Sequence, residues 1–159
     1  MITIRKANAA DVQPIYDLRK RAILNQCADH YQPEQLALWT QGGISDKLLQ
    51  DIVATFYVSE LNDQVIGCGK LNTESGMVDA IFVDPPYFGL GAAKLMLSFL
   101  EEMANEHKLE KMVLESTLNA APFYRSFGFQ GEEHSTYHSP RGVSLDCIWM
   151  EKQLQKERA

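Results

Sequence analysis

Apolar positions change their spacing several times along the chain, and each change predicts an element. Ile2 and Ile4 alternate with polar neighbours, which predicts a short strand over residues 2–5. From Asp11 the spacing turns helical. Val12, Ile15, Leu18, Ala22 and Ile23 form one stripe, Asp11 reads as the N-cap, and Pro14 falls in the first turn, where its missing N–H does no harm. Pro33 opens a second short helix through Leu36 and Trp39 that ends by Gly42 and Gly43, and residues 46–52 predict a further turn or two. From Thr55 the period becomes two. Residues 56–60 and 65–71 read as a hairpin around Asn62 and Asp63, and residues 77–83 as a buried strand stopped by Asp84 and two prolines. The longest helix begins near Gly89, with Ala93, Met96, Leu97, Leu100, Met103, Ala104 and His107 on one face. Residues 111–116 predict a strand, 119–127 a short helix ended by Gly128, and 129–137 and 143–151 a closing pair of strands.

The order is therefore β-α-α-β-β-β-α-β-α-β-β. Strands joined by hairpins are antiparallel, whereas those flanking the long helix should be parallel, because a helical crossover joins them. This predicts an α+β domain: a mixed, mostly antiparallel sheet of about seven strands with helices on both faces. At 159 residues the chain reads as a single domain, residues 1–159.

Composition narrows the function by exclusion. Cys27, Cys68 and Cys147 are odd in number and widely spaced, which argues against a disulfide framework and for a reducing, cytoplasmic setting. No Cys/His cluster has zinc spacing, so no metal is expected. No apolar run reaches the ~18–20 residues that cross a bilayer, and the N-terminus does not read as a secretory signal. The formal charge is −6, and the one basic run, Arg19-Lys20-Arg21, reads as a solvated face, so no nucleic-acid partner is expected. An acidic surface mildly steers a cationic amine toward the protein.

The most informative stretch is VDPPYFGLGAA, residues 83–93, where a buried strand ends, a glycine-containing loop turns and an amphipathic helix begins. Unpaired N–H groups of the first helical turn and the helix dipole favour an anion there, and glycines let it approach closely. The dinucleotide fingerprint is not met, because Lys94 stands where its third glycine belongs, and the Gly-Lys-Ser/Thr ending of a P-loop is missing. About thirty residues on lies NAAPFYRSFGF, residues 119–129. Together, in this order and spacing, the two segments resemble the acetyl-CoA pyrophosphate motif and the C-terminal motif of the GNAT acetyltransferase superfamily. The order of elements along essentially the whole chain agrees. One departure is Phe88, where the family usually has Gln or Arg; it removes a polar contact to phosphate but leaves the backbone cradle.

The resemblance implies acetyl-CoA as co-substrate and direct attack by an amine of a small molecule or peptide. It implies Phe82 and Val83 as acyl-binding, Phe88, Gly89, Leu90, Gly91, Ala92 and Ala93 as the pyrophosphate cradle, Asn119 on the cofactor arm, and Tyr124 as the acid near the sulfur. Asp79 and Glu115, carboxylates within apolar strand runs, are the candidate bases, with a structural ion pair as the equal alternative. On the acceptor side the candidates are His30, Tyr31, Trp39, His134, Tyr137 and His138, with the aromatic rings able to form walls for a cation. Cys68 and Cys147 read as packing, and His107 as structural. A homodimer is the expectation for such a domain. A non-catalytic acyl-CoA-binding domain of the same fold is the competing reading, since fold alone does not fix activity.

Overall fold

A computed structural model describes residues 1–154. Its strands are β1 (Thr3–Lys6), β2 (Tyr57–Leu61), β3 (Gln64–Leu71), β4 (Val78–Val83), β5 (Lys111–Ser116), β6 (His134–His138) and β7 (Ser144–Gln153). Its helices are α1 (Val12–Gln26), α2 (Pro33–Thr40), α3 (Asp46–Thr55), α4 (Ala92–Glu106) and α5 (Ala121–Ser126). The predicted order holds except that residues 46–52, expected as a further turn or two, belong to a third helix, α3, before β2; the α+β class holds.

The seven strands do not make one continuous sheet. β1-β2-β3-β4 form an antiparallel sheet of four and β5-β7-β6 an antiparallel sheet of three. The parallel neighbours predicted around the long helix, β4 and β5, meet only where Met77 bridges Val113, with Val113 N–H donating to Gly76 O at 2.9 Å. Beyond that bridge their facing edges carry no ladder, and a cleft opens between them.

α4 holds the two sheets together from one face. Its buried side chains Met96, Leu97, Leu100 and Ala104 share a cluster with Leu71 and Val78 of the first sheet and Met112, Leu114, Ile148 and Met150 of the second. Burying each large apolar side chain contributes roughly 1.5–3 kcal/mol. Gly69 makes the close approach possible, since a Cβ there would lie 2.6 Å from Met96 Cγ. On the opposite face α1 and α3 cover the first sheet through Val12, Ile15, Leu18 and Ile52 against Val58 and Cys68. The end of α1 and α2 pack through Ile23, Leu36 and Trp39 onto Val143 and Leu145.

Local chemistry moved several boundaries. The cap of the first helical segment is Asn8, whose side chain accepts from Ala10 N–H ahead of a 3-10 turn, Ala9–Asp11. Asp11 holds the N-cap position of α1 as expected, but its side chain makes no capping bond and turns inward. It is buried, accepts Asn8 N–H at 2.8 Å and is gripped by Arg5 at 2.7 and 2.9 Å. α3 continues to Thr55, whose hydroxyl donates back to Asp51 O at 2.7 Å. β6 is shorter than predicted: after Gln130 bridges Glu151 the chain leaves the ladder and rejoins it at His134. His107, expected on the buried face of the long helix, is its exposed C-cap. Among the described residues no helix is long and apolar enough to cross a membrane.

Candidate active site

The cleft between the sheets encloses about 710 Å³, within the ordinary range of small-molecule sites. Tyr124 lines it from α5, held edge-on by Phe123 and Phe129 at ring-centroid distances of 5.3 and 5.8 Å. The residue is 8% exposed, and its hydroxyl makes no hydrogen bond with another described residue. Burial pushes its pKa above the usual value near 10, so the phenol keeps its proton at neutral pH. A phenol that is protonated, unpartnered and faces a cleft is a proton donor in waiting.

Asp79 and Glu115 line the same cleft. The β3–β4 ladder skips Asp79, pairing Lys70 with Ala80 and Leu71 with Val78, so a bulge turns its carboxylate outward. There it lies 3.6 Å from Lys70, which also reaches Asp51 at 3.2 Å. Burial raises its pKa and the nearby ammonium opposes the rise. Glu115, half-buried on β5, accepts from Cys147 Sγ at 3.6 Å and has no cation within ion-pairing distance among the described residues. The cysteines are poor nucleophiles here. Burial pushes Cys27 and Cys147 up to about 11 and Cys68 up to about 12.

The glycine loop lies past the end of β4, outside the cleft proper. Gly89 and Gly91 have φ of 82° and 83°, a conformation L side chains rarely adopt, and Gly91 caps α4 with no side-chain hydrogen bond. The N–H groups of residues 89 to 94 find no backbone acceptor among the described residues, and Leu95 is the first to bond back, to Gly91 O. Bidentate pairing of Arg21 with the buried carboxylate of Asp84, 2.9 Å at each oxygen, ties the loop's first residue to α1. Phe88, Leu90 and Gly91 are exposed. Phe82 lines the cleft on β4, with Val83 next along the strand. Asn119, after β5, has a buried side-chain oxygen with no partner among the described residues. A diphosphate at the loop, with a polar arm running past Asn119 into the cleft, fits these donors and this orphaned acceptor.

The remaining candidates divide. Trp39 and Tyr137 do face the cleft, 6.0 Å apart between ring centroids. Tyr31 lines it too, but its hydroxyl has a structural task, donating to Asp146 O at 2.6 Å and accepting Leu118 N–H at 3.1 Å. The three histidines do not line the cleft. His30 is exposed after α1, His134 pairs with Asp146 at 2.9 Å, and His138 with Ser144 at 3.1 Å. The basic run also corrects its reading as a solvated face. Lys20 is solvated, Arg21 grips Asp84, and Arg19 turns into the cleft over Trp39 and Phe82. Arg19 lies four residues from both Ile15 and Ile23, a spacing that places it on the flank of the buried stripe. Arg141, at the β6–β7 turn, also lines the cleft and was not anticipated.

A splayed strand pair, a phenolic acid, nearby carboxylates and a diphosphate-shaped helix terminus are the parts of a transferase for a phosphate-bearing acyl donor. The model of the acetyltransferase (GNAT) domain family matches residues 27–144, and the chain belongs to that family. It is 29% identical over 132 residues, 81% of each chain, to YafP of Escherichia coli K12, an uncharacterized N-acetyltransferase. Among solved structures it resembles a GCN5-related N-acetyltransferase of Rhodopseudomonas palustris, with a TM-score of 0.87 at 20% identity, covering 96% of this chain and 95% of that one. It also resembles yncA of Salmonella typhimurium, a putative acetyltransferase solved with acetyl-CoA. There the TM-score is 0.71 at 25% identity, over 100% of this chain and 97% of that one. The protein is an acetyl-CoA-dependent acyltransferase, and acetyl-CoA is its co-substrate.

Proposed function

We propose that the chain, acting as one domain, acetylates a primary amine of a small molecule or peptide by direct attack within a single complex. The observation that carries this is Tyr124. Its proton-bearing side chain lines the cleft between β4 and β5, and the helix terminus past the end of β4 is open and suited to a diphosphate. When bound, acetyl-CoA supplies a thioester, an electrophilic carbonyl whose leaving group is a thiolate. Of the expected cradle, residues 89 to 93 hold its pyrophosphate through backbone N–H groups, whereas the Phe88 N–H is taken by Pro85 O; Asn119 contacts the arm, and Phe82 and Val83 seat the acyl end.

The amine must first be neutral, because an ammonium has no lone pair. Glu115 suits the task of taking that proton through a water, since it lines the cleft and no cation among the described residues lies within ion-pairing distance of it. Asp79 is the less favoured base, because Lys70 already stabilises its charged form. Tyr124 holds the proton that the departing sulfur needs. None of this chemistry calls for a metal.

Calorimetric titration with acetyl-CoA, beside a Gly91→Glu variant, tests the reading. Saturable binding to the wild type and its loss in the variant are expected, because a carboxylate at the helix terminus opposes an anionic ligand. A thiol-release screen across amines then reads transfer. Failure to bind at millimolar acetyl-CoA would sink the proposal.

A further inference from the structure

The end of the cleft between α1 and the β6–β7 turn carries two arginines in a protein that is acidic overall. Arg19 and Arg141 both line it, and no carboxylate lies within ion-pairing distance of either among the described residues. The other three described arginines differ. Arg5 pairs with Asp11 and Glu60, Arg21 with Asp84, and Arg125 bonds Gly131 O at an exposed site. Arg19 is stacked with its guanidinium carbon 6.0 Å from the Trp39 ring and 5.9 Å from the Phe82 ring. Its one hydrogen bond to a described residue is a long one, 3.5 Å to Trp39 O. Arg141 is held 5.5 Å from the Tyr16 ring and donates to Gln41 O.

Each guanidinium carries five N–H donors in a planar fork, so most of these donors have no acceptor among the described residues. Burial and the neighbouring Arg141 both push the Arg19 pKa down, which is the mark of a cation taken from water without a counter-ion. Stacking fixes both forks in place, and fixed forks match the oxygens of a carboxylate or phosphate. The glycine loop is a separate anion site and does not border this end.

We infer that Arg19 and Arg141 form an anion subsite, and that the acceptor is an amine bearing a carboxylate or phosphate group. The inference rests on the transfer reading above, since it names the substrate of that cleft. Arg19 stacks on Phe82, so the anion sits close to the acyl-seating strand and the amine and its acidic group are separated by only a few bonds. The bulk acidity of the chain then works as a filter. Simple cationic amines are drawn to the surface, but only an acidic amine is held at the reacting end.

Arginine side-chain NMR on the full chain tests this without needing turnover. The probes are matched pairs: an N-acetylated amino acid against its amide, and phosphoethanolamine against ethanolamine. The member of at least one pair that bears the anionic group should bind ten-fold or more tightly than the partner lacking it and shift the side-chain resonances of Arg19 and Arg141. Arg19→Gln should abolish the difference, and Arg141→Gln, at a more peripheral site, should reduce it if the first variant folds poorly. The responding pair distinguishes carboxylate from phosphate. Equal binding of both members, or shifts at neither arginine, would overturn the inference. So would a finding that succinyl-CoA shifts the two arginines while no amine probe does, because the anion would then belong to the donor. Calorimetry with acetyl-CoA, run on the same samples, reports on the transfer reading alone, so the two failures are distinguishable.

Discussion

Removing the Tyr124 hydroxyl separates chemistry from folding. It has no partner among the described residues, so Tyr124→Phe should change stability by less than about 0.5 kcal/mol. Turnover should nevertheless fall by about 10²-fold, with acetyl-CoA affinity unchanged, if the phenol supplies a proton in the transition state. Equal kcat for wild type and variant would assign Tyr124 to packing. Asp11 makes the opposite kind of prediction. The Arg5 side chain, followed by Asn8 N–H, holds its carboxyl below the usual range, and burial only partly offsets them. The unfolded chain, with a value near 3.9, therefore takes up a proton first as pH falls. Stability that is fully present above about pH 4 is lost as the pH drops through the folded value. Asp11→Asn should lower stability at pH 7 by on the order of 2 kcal/mol, and flatten the acid limb of a Tm-against-pH curve. A limb as steep as the wild type would show that other carboxylates set it.

At the scale of elements, the contact between β3 and α4 is the tightest dependence. Gly69→Ala places a methyl 2.6 Å from Met96 Cγ and 2.8 Å from its sulfur, so α4 must give way or Met96 must leave its position. A loss of about 1–3 kcal/mol in a denaturant melt is expected, with partial recovery when Met96→Ala is added. No recovery would mean that the strain lies in the strand itself. Element order, the glycine loop and the aromatic helix α5 were legible in the sequence because they rest on local signals: spacing, prolines and glycines. What was not legible depended on partners from distant segments. α3 runs on to Thr55 because tertiary packing outweighs the strand propensity of Thr55-Phe56. Asp79 drops out of the pairing with β3 at a bulge that no single strand announces. Arg19 reads as surface until α2 and β4 supply the rings it lies on, and Tyr31 reads as a pocket wall until Asp146 and Leu118 claim its hydroxyl.

At the scale of the whole molecule, two sheets share one parallel bridge and one helix. Amides on the facing edges of β4 and β5 should therefore exchange with solvent faster than those within the β3 and β7 ladders. They should slow on saturation with coenzyme A, and Tm should rise with its concentration as mass action requires, the stabilisation reaching about 2.7 kcal/mol at a hundred-fold excess over Kd. Hydrogen exchange by mass spectrometry reads this directly, and edges that are already protected would contradict the splayed arrangement.

Two strand edges that face each other across an open seam are also a template on which any extended peptide can pair. The seam that admits the acyl donor thus doubles as a nucleus for aggregation whenever donor is scarce. Solubility and shelf life of this protein should follow the supply of coenzyme A as closely as its turnover does.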